Sequence, residues 1–558
     1  MKDDTGKMAS QASLEIITEG SQSRWRFYGV FIPLCCLSFI SALDVAIVTV
    51  ALPTITQDVG GARQYIWIAN SFVVASCVVQ PFAGQLADVF GRRSPLITSV
   101  ALFALGSGIA GGASNVAMLI AGRTTQGLGA GGIYVLIDIV CCDLVPLRER
   151  GKWLGLMFSW SGVGAALGSP VGGALAEANW RWIFYMNIPI CGVALAGLLL
   201  LMRVNGGTAS AQHRGLAAKF KRLDITGNAI FIPSMIALLI GLVEGGNVHS
   251  WSSWRIVVPL VLGVLGWIVF HIQQSFASFP SVPPRLFGNR TSATAYFLAF
   301  TSSILIQAPA YFLPVYFQAV LGTTTLQSGT YFLPFALGML IFAAAAGVVL
   351  AKVGAYRPLH AFAFAVIAIT FGLFTLMDSN TSKVAWAFFE LIGSVGTGFT
   401  LSTLLPAIMA PLADADTAVS SATYSFGYVW GVTLPSIIFN AVVNQNVHVI
   451  SDTTLQAQLR DGAAYSFASQ MHRIKQKGGL AAGVIAQIDQ VYTRSLKAIW
   501  WVCLGISIIS FFAVGLERGL ELRKELDTEY GLDDRRKSPK KLRLPGMQVR
   551  RRNIATRG

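Results

Sequence analysis

The sequence predicts an all-α integral membrane protein with fourteen transmembrane helices. Its 558 residues are 54% hydrophobic and only 12% charged, and the mean hydropathy is +0.59. A soluble chain typically has about 25% charged residues. The apolar residues occur in runs of roughly 20 or more, the length that crosses about 30 Å of hydrocarbon as a helix. A membrane β-barrel would instead show segments of about 10 residues with alternating polarity.

The apolar runs divide into a first six, an inserted pair and a final six. This order predicts a six-helix bundle over 27–203, a linker with two inserted spans over 204–292, and a second six-helix bundle over 293–516. A long outer loop over 448–497 interrupts the second bundle and should be partly helical. The candidate spans are 27–53, 66–89, 95–113, 116–141, 153–177, 183–203, 225–244, 254–275, 293–320, 328–351, 357–377, 384–410, 417–447 and 498–516.

Basic residues orient the chain, because cytoplasmic loops are enriched in Lys and Arg. With a cytoplasmic N-terminus, most of the basic residues in short loops fall on the inner side. The outer short loops carry only Arg63, Arg181, Arg255 and Lys383. The polar segment 1–26 and the basic segment 517–558 are expected to be cytoplasmic tails, the first disordered and the second near anionic lipid. The net charge of +15 is therefore assigned to topology, and no nucleic-acid partner is expected.

The sequence gives no indication of an enzyme or of a metal site. The seven cysteines lie in apolar runs or at their edges, without metal-ligand or CxxC spacing, so we interpret them as small apolar residues. No Walker A pattern or nucleophile-elbow motif occurs in the chain. We therefore expect neither a catalytic centre nor a cofactor.

The turn between spans two and three combines an acid with two arginines in GQLADVFGRR, residues 84–93. Gly84 and Gly91 permit close helix packing and a tight turn, and Asp88 can accept charge-assisted hydrogen bonds. The preference for basic inner loops explains Arg92 and Arg93 but not Asp88. We interpret the turn as a conformational latch that holds one state of the bundle and breaks in the other.

A weaker copy of this turn occurs in the second half, in GVVLAKVGAYR. Gly347, Ala351 and Gly354 keep the spacing of the first copy, with alanine in place of the aspartate, and Arg357 follows. Both copies lie between an even-numbered span and the next one. The repetition predicts a duplicated bundle.

Two charges lie inside apolar spans: Asp44 in LDVAIVTVALPTI and Arg123 in LIAGRTTQGLGAGG. An arginine at the centre of a membrane helix costs at least about 2.5–3.5 kcal/mol, so such a residue is a functional candidate. Gln126 lies one turn further on the same face. We expect Asp44 and Arg123 to lie close together and protonation of Asp44 to shift the pair. The alternatives are a purely structural ion pair and an arginine that extends to the interface.

The fifth span contains GVGAALGSPVGGAL, residues 162–175, with glycines at helical spacing. Small residues at this spacing allow close helix packing in any membrane protein. A proline in such a helix can bend it. The residues concerned are Gly164, Gly168, Pro170, Gly172 and Gly173.

These stretches resemble motifs of the major facilitator superfamily. The turn at 84–93 is similar to motif A, and the stretch around Arg123 is similar to motif B. The glycines of span five are similar to the antiporter motif C, except that Ser169 stands at the usual proline and Pro170 is displaced by one. The stretch around Asp44 looks like the first-span motif of fourteen-span drug:proton antiporters. Stretches such as WRWIFYMNIP and YFLPVYFQAVLG resemble fungal multidrug and mycotoxin exporters.

The resemblance covers roughly residues 30–530 and implies a proton-coupled efflux transporter. It would export small amphipathic organic compounds such as drugs, toxins or secondary metabolites by alternating access, using the proton gradient instead of a cofactor. An importer or facilitator of a small organic nutrient or siderophore is the alternative on the same scaffold. A sensor without transport activity ranks last, because the cytoplasmic tail is short. We expect a monomer in the plasma membrane, with the vacuolar membrane as the alternative.

The remaining candidates rest on residue type and depth alone. Glu390 in span twelve is a candidate second proton-coupling residue beside Asp44 and Arg123, with an outer-interface cap as the alternative. Asn380 lies in an N-T-S glycosylation sequon on an outer loop. Candidate residues lining the substrate cavity are Gln126, Tyr134, Gln307, Tyr311, Gln318 and Tyr424.

Overall fold

The computed structural model describes most of the chain and shows an all-helical architecture. The only bridge between described backbone segments joins Gly245 to His249. The predicted tail 1–26 and most of 517–558 lie outside the described residues, as do residues 49–53 except Ala51. The structure describes residues 27–48, 51, 55, 58–59, 65–202, 216–246, 249–413, 416–460, 462–477 and 480–523.

Within these residues, thirteen helices are long and apolar enough to cross a membrane. A further helix, Leu147–Asn179, occupies the position of the fifth predicted span. The predicted all-α membrane fold is therefore confirmed. We label the helices α1 Phe27–Val48, α2 Tyr65–Phe90, α3 Arg93–Gly111, α4 Val116–Leu144, α5 Leu147–Asn179, α6 Trp182–Leu201, α7 Ile225–Glu244, α8 Trp254–Phe276, α9 Arg290–Val320, α10 Leu326–Val353, α11 Arg357–Phe374, α12 Lys383–Met409, α13 Thr417–Val449 and α14 Ala482–Leu516.

Polar residues at the helix ends explain why several helices begin where they do. The side chain of Asn115 accepts a hydrogen bond from the Met118 amide and caps α4. Asp224 caps α7 in the same way. Each cap satisfies an amide that lacks a partner within its helix.

The last span begins much earlier than its apolar run. Helix α14 starts at Ala482, whereas the predicted span starts at 498. Three short helices precede it in the outer loop: Thr453–Leu459, Ala463–Phe467 and Met471–Lys477. The hydroxyl of Tyr492 donates to the carbonyl of Ala464 at 2.5 Å. The outer part of α14 is thus stabilised by packing against the loop, and not only by lipid.

The two six-helix groups meet along two seams. Helix α5 packs against α10, and α2 packs against α13. We call these the α5–α10 seam and the α2–α13 seam. The inserted helices α7 and α8 pack mainly on each other, and α7 also contacts α2 and α13. The inserted pair therefore lies outside the α2–α13 seam.

Candidate functional site

A ring of three buried side chains lies inside the first bundle. Oδ2 of Asp44 on α1 lies 2.6 Å from Nη1 of Arg123 on α4. The same nitrogen donates to Oε1 of Gln126 at 2.7 Å, and Nε2 of Gln126 donates to Oδ1 of Asp44 at 2.7 Å. The side chains of Asp44 and Arg123 are 0% and 3% exposed. The two charges thus compensate each other where water cannot reach them, and removing either would leave the other uncompensated.

Two more helices contribute polar groups that sequence reasoning missed. Nδ2 of Asn187 on α6 donates to Oδ1 of Asp44 at 2.7 Å. The hydroxyl of Ser107 on α3 accepts from Nε2 of Gln126 at 2.9 Å. Asp44 therefore accepts from three side-chain donors, an arrangement that suits a carboxylate rather than a neutral carboxyl group.

Aromatic rings surround the arginine. The guanidinium carbon of Arg123 lies 4.3 Å from the centre of the Phe72 ring and 6.0 Å from that of Phe184. Its Nε has no hydrogen-bond partner among the described residues, so the ring faces supply part of its stabilisation. The structure places Arg123 inside the bundle and away from lipid.

The glycines of α5 form a close-packed stripe against α1. A Cβ atom added at Gly164 would lie 2.3 Å from the Phe39 carbonyl oxygen, and one at Gly168 would lie 2.2 Å from the Ala46 Cβ. A Cβ at Gly172 would lie 3.0 Å from the carbonyl oxygen of Ile47, whereas one at Gly173 would meet nothing within 4 Å. Helix α5 therefore holds the helix that carries Asp44. The side chain of Pro170 lies outside the described residues.

The turn at 84–93 contains a cluster of charges around a buried arginine, which we call the relay. Nη1 of Arg92 lies 2.9 Å from Oδ1 of Asp88, and Nε of Arg92 lies 2.7 Å from Oδ2 of Asp143 at the inner end of α4. The side chain of Arg92 is 2% exposed. Gly91 has φ +82°, which explains the need for glycine there. The relay ties the inner ends of α2, α3 and α4 together, whereas Arg93 is exposed and donates to the carbonyl of Leu199 at 2.6 Å.

Both seams are tightly packed near the predicted cytoplasmic ends. A Cβ added at Gly84 would lie 2.6 Å from the Ala422 Cβ across the α2–α13 seam. A Cβ added at Gly347 would lie 2.5 Å from the Gly151 carbonyl oxygen across the α5–α10 seam. The guanidinium of Arg148 on α5 donates to the carbonyls of Ala351 and Lys352 on α10. The halves are therefore closed together at their inner ends.

A surface ion pair lies nearby, between the segment before α9 and the start of α13. Nη2 of Arg285 lies 2.8 Å from Oδ1 of Asp416. The hydrogen bond to Asp416 raises the pKa of Arg285 above its usual value. Because the Arg285 side chain is 64% exposed, this pair contributes little to stability.

Glu390 on α12 lies in the second bundle, away from the cluster around Asp44. It is fully buried, and neither carboxyl oxygen has a hydrogen-bond partner among the described residues. The backbone amide of Phe335 lies near the carboxyl group but does not form a hydrogen bond with it. An ionised carboxylate without a partner is costly in such a place, so the geometry suits a neutral carboxyl group.

The six residues named for the cavity have different surroundings in the structure. The side chain of Gln126 is hydrogen-bonded within the ring around Asp44, and that of Gln318 donates to the Ser328 hydroxyl at 3.3 Å. Tyr134 on α4 donates to the Ser41 carbonyl at 3.4 Å, and Tyr311 lies on α9, in the other half. Gln307 packs against Gly431, and Tyr424 is buried on α13. Tyr134 and Tyr311 are both partly buried and pack on the same hydrophobic core.

Asn380 lies in an exposed turn between α11 and α12. Its backbone amide donates to Oδ1 of Asp378 at 2.8 Å, and its side chain is exposed. The sequon is therefore sterically accessible, and its glycosylation stays a prediction.

Two helical bundles that meet along two seams, with a buried ion pair in one of them, are an arrangement found in membrane transporters. The family model of the Major Facilitator Superfamily matches residues 34–435. The chain belongs to this superfamily.

Curated relatives extend the likeness over nearly the whole chain. The MFS efflux transporter aclA of Aspergillus oryzae is 44% identical over 515 residues, which cover 91% of this chain and 92% of that protein. The MFS-type transporter gkaD of Penicillium citrinum is 42% identical, with 92% and 88% covered. The efflux pump FUS6 of Gibberella moniliformis is 39% identical, with 94% and 93% covered. The resemblance to fungal exporters is therefore confirmed.

Solved structures support the fold alone. The human organic anion transporter MFSD10 aligns with a TM-score of 0.55 at 14% identity, covering 87% of this chain and 99% of that one. The proton:xylose symporter XylE aligns with a TM-score of 0.52 at 14% identity, covering 81% and 94%. These two proteins differ in what they carry, so the likeness says nothing about the substrate.

Proposed function

We propose that this protein is a proton-coupled efflux transporter that exports small amphipathic organic compounds by alternating access. The buried cluster of Asp44, Arg123, Gln126 and Asn187 carries the proposal. An ionisable pair inside a membrane bundle is costly, so it needs a use in transport or a strong structural reason. The names of aclA and FUS6 describe efflux, which supports the outward direction.

The cluster provides a way to couple a proton to the conformational cycle. Protonation of Asp44 would remove the charge that compensates Arg123 and would free the donors of Gln126 and Asn187. Such a change biases the equilibrium between two states only if they hold the proton with different affinity. The helix that carries Asp44 packs on the glycine stripe of α5, and α5 forms one seam with the second half. A movement of α1 at Asp44 can therefore be transmitted through α5 to the α5–α10 seam.

Tyr134 and Tyr311 are the proposed substrate contacts. They lie on α4 and α9, one from each half, and the Tyr134 hydroxyl donates at 3.4 Å to the carbonyl of Ser41, one turn before Asp44 on α1. Aromatic rings with a polar tip suit a ligand that is apolar over most of its surface. Substrate bound between these rings would therefore respond to the charge state of the cluster. Glu390 is the proposed second proton-coupling residue, because its carboxyl group is buried without a partner.

The test is transport in vesicles that contain the purified full chain. A panel of fluorescent amphipathic dyes is followed under an imposed pH gradient, with Asp44→Asn beside the wild type. We expect gradient-driven dye movement that falls at least about tenfold in Asp44→Asn. Asp58→Asn is the matched control, because the Asp58 side chain is 57% exposed and its pair with Arg181 is 3.7 Å long. An asparagine oxygen can still accept the hydrogen bond that Nε1 of Trp180 donates to Asp58 at 2.8 Å. Movement that survives in Asp44→Asn would contradict the role of Asp44 and direct attention to Glu390.

The direction of the driven movement separates export from import. Dye that moves against the proton flow supports antiport, and dye that moves with it supports the importer or facilitator. We propose the plasma membrane as the location, and imaging of a tagged chain would distinguish it from the vacuolar membrane.

A further inference from the structure

A second buried acid lies on α4, close to its inner end. Asp138 is 4% exposed. Its Oδ2 accepts a hydrogen bond from the Ser425 hydroxyl at 3.3 Å, and its Oδ1 is buried without a partner among the described residues. Ser425 belongs to α13, so this contact joins the first half of the transporter to the second.

The position of Asp138 coincides with the closed part of the α2–α13 seam. Helix α4 packs on α2 and also contacts α13. On the neighbouring helix, the close approach of Gly84 to Ala422 involves the same face of α13, one turn from Ser425. The cytoplasmic entrance can open only if α13 separates from α2 and α4 here. Opening would therefore break the contact with Ser425 and admit water to Asp138.

No ion pair holds Asp138 within the part of the chain that the structure describes. Asp88 in the turn and Asp143 at the inner end of α4 share Arg92. Arg150 is engaged by the Val145 carbonyl and the Met409 sulfur. The titratable and charged groups around this end of α4 are Cys141, Cys142 and Asp143 on α4, Asp88 and Arg92 from the turn, Arg150 on α5 and Asp416 before α13.

We propose that Asp138 is a further proton-binding site, distinct from Asp44 and Glu390, whose proton keeps the α2–α13 seam closed and whose deprotonation opens it toward the cytoplasm. In the closed seam, a carboxylate would be buried without a counter-charge, which is costly. In the open seam, water would solvate it. The closed state therefore binds the proton more tightly, and by linkage a rise in pH favours the open state.

This site differs in kind from the cluster around Asp44. Asp44 accepts from three donors within one bundle, whereas Asp138 has a single hydroxyl partner, from the other half. Along α4, fifteen residues separate Arg123 from Asp138, which corresponds to about 22 Å. The proposal rests on proton-coupled transport as the function, and it assigns the cytoplasmic release of the proton to Asp138.

The test measures conformation and needs no substrate. Spin labels are introduced through a noncanonical amino acid at Ser94 and Ala413, which are exposed at the inner ends of the two halves, so that the native cysteines stay in place. The full chain in lipid nanodiscs is titrated, and the distance distribution is read by double electron–electron resonance. In the wild type, we expect the ratio of open to closed populations to rise with pH, by at most about tenfold per pH unit for one proton.

Asp138→Asn should remain closed over the whole pH range, because asparagine is always neutral. Asp58→Asn is the comparison, because the Asp58 side chain is 57% exposed and lies outside both proton sites, and it should keep the response of the inner ends to pH. A pH response that persists in Asp138→Asn would overturn the proposal, as would a wild type that does not respond. If Asp138→Asn does not fold, Ser425→Ala tests the proposal instead. It retains the acid but removes its hydroxyl partner, so the pH midpoint of the closed-to-open change should shift. An unchanged midpoint in Ser425→Ala would then contradict the proposal.

The outcome is separable from that of the vesicle experiment. A pH-dependent seam that depends on Asp138 would stand even if no dye moved. Conversely, dye transport driven by the gradient together with a pH-independent seam would overturn only the role of Asp138.

Discussion

The inner turns of the two halves share a backbone but differ in their charges. Gly91 in the first turn and Gly354 in the second have φ values of +82° and +73°. The first glycine of each copy, Gly84 or Gly347, lies at a seam so close to the other half that a Cβ would collide with it. The two copies thus retain the turn and the helix contact that glycine alone permits.

The charges follow a different pattern. In the first turn, Arg92 binds Asp88 and Asp143 within its own half. In the second turn, Ala351 replaces the acid, and its carbonyl accepts from Arg148 of the other half. The first turn stiffens one bundle, whereas the second contributes directly to the contact between bundles. The two turns therefore share a backbone requirement, whereas their side chains make different contacts.

Removal of the arginine from each turn should have the largest effect, and an unequal one. Arg92→Ala leaves Asp143, whose side chain is 5% exposed, without its cation, so we expect a loss of about 3–5 kcal/mol in the free energy of unfolding. Arg148→Ala removes hydrogen bonds from a half-exposed guanidinium to two carbonyls, and about 1.5–3 kcal/mol is expected. Unfolding by SDS titration in mixed micelles measures both.

Arg92→Lys controls for charge alone, because lysine cannot bridge both acids with a planar fork. It should recover only part of the loss. Equal losses for Arg92→Ala and Arg148→Ala would contradict the division of tasks between the turns.

Added side-chain volume at the seam glycines should have the next largest effect. In Gly84→Ala the new Cβ would lie 2.6 Å from another Cβ, whereas in Gly347→Ala it would lie 2.5 Å from a backbone oxygen. We expect each to cost about 1–3 kcal/mol in the closed conformation, with the greater cost at Gly347, since backbone moves less readily. Spin-label distances between the inner ends should show a larger open population.

Gly372→Ala on α11 is the matched control, because a Cβ there would meet nothing within 4 Å. It should be neutral or stabilise the helix by about 0.5–1 kcal/mol. If all three variants behaved alike, the glycines would serve only as flexible helix positions.

The left-handed glycines should show a smaller and equal effect. Gly91→Ala meets no atom within 4 Å, and Gly354→Ala meets Arg148 only at ordinary contact distance. The cost is therefore backbone strain, about 1–2 kcal/mol in each case. Gly91→Asn and Gly354→Asn should cost less, because asparagine tolerates this conformation. A marked difference between the two turns in the same unfolding titration would show that they do not share a backbone role.

The repeated turn also shows what the sequence makes predictable. Apolar runs of spanning length predicted the membrane helices, because the bilayer imposes one length on all of them. Charges inside those runs marked Asp44 and Arg123, which the structure places 2.6 Å apart. The same rule applies to Asp138, which lies inside the predicted span 116–141, and applying it there would have identified a second buried acid.

Other contacts leave no such signal. Asn187 and Ser107 are uncharged, and polar residues of this kind are common in membrane helices, so only the fold shows that they complete the cluster around Asp44. The outer part of α14 packs on a folded loop and can therefore be more polar than a lipid-facing helix. A hydropathy window does not recognise it as part of the span. Gln85, within the first turn motif, accepts from the Asp224 amide at 3.0 Å and so docks the inserted pair. Its partner lies in a segment that no local pattern connects to it.

Restoring the missing acid should have the smallest effect. Ala351→Asp would place a carboxylate at a half-buried position next to Arg148, where an ion pair is worth about 0–1 kcal/mol. The negative end of α10 opposes the new charge by a similar amount. We therefore expect a net change in unfolding free energy within about 1 kcal/mol of zero.

The informative quantity is the coupling free energy between positions 351 and 148, measured by a double-mutant cycle with Arg148→Ala. A coupling below about 1 kcal/mol, beside a larger one for Asp88→Asn with Arg92→Ala, would mean that the acid matters only where its arginine is buried. A coupling as large as that of the first turn would mean that the second turn still has the site for an acid, and that its charge was lost without a change in structure.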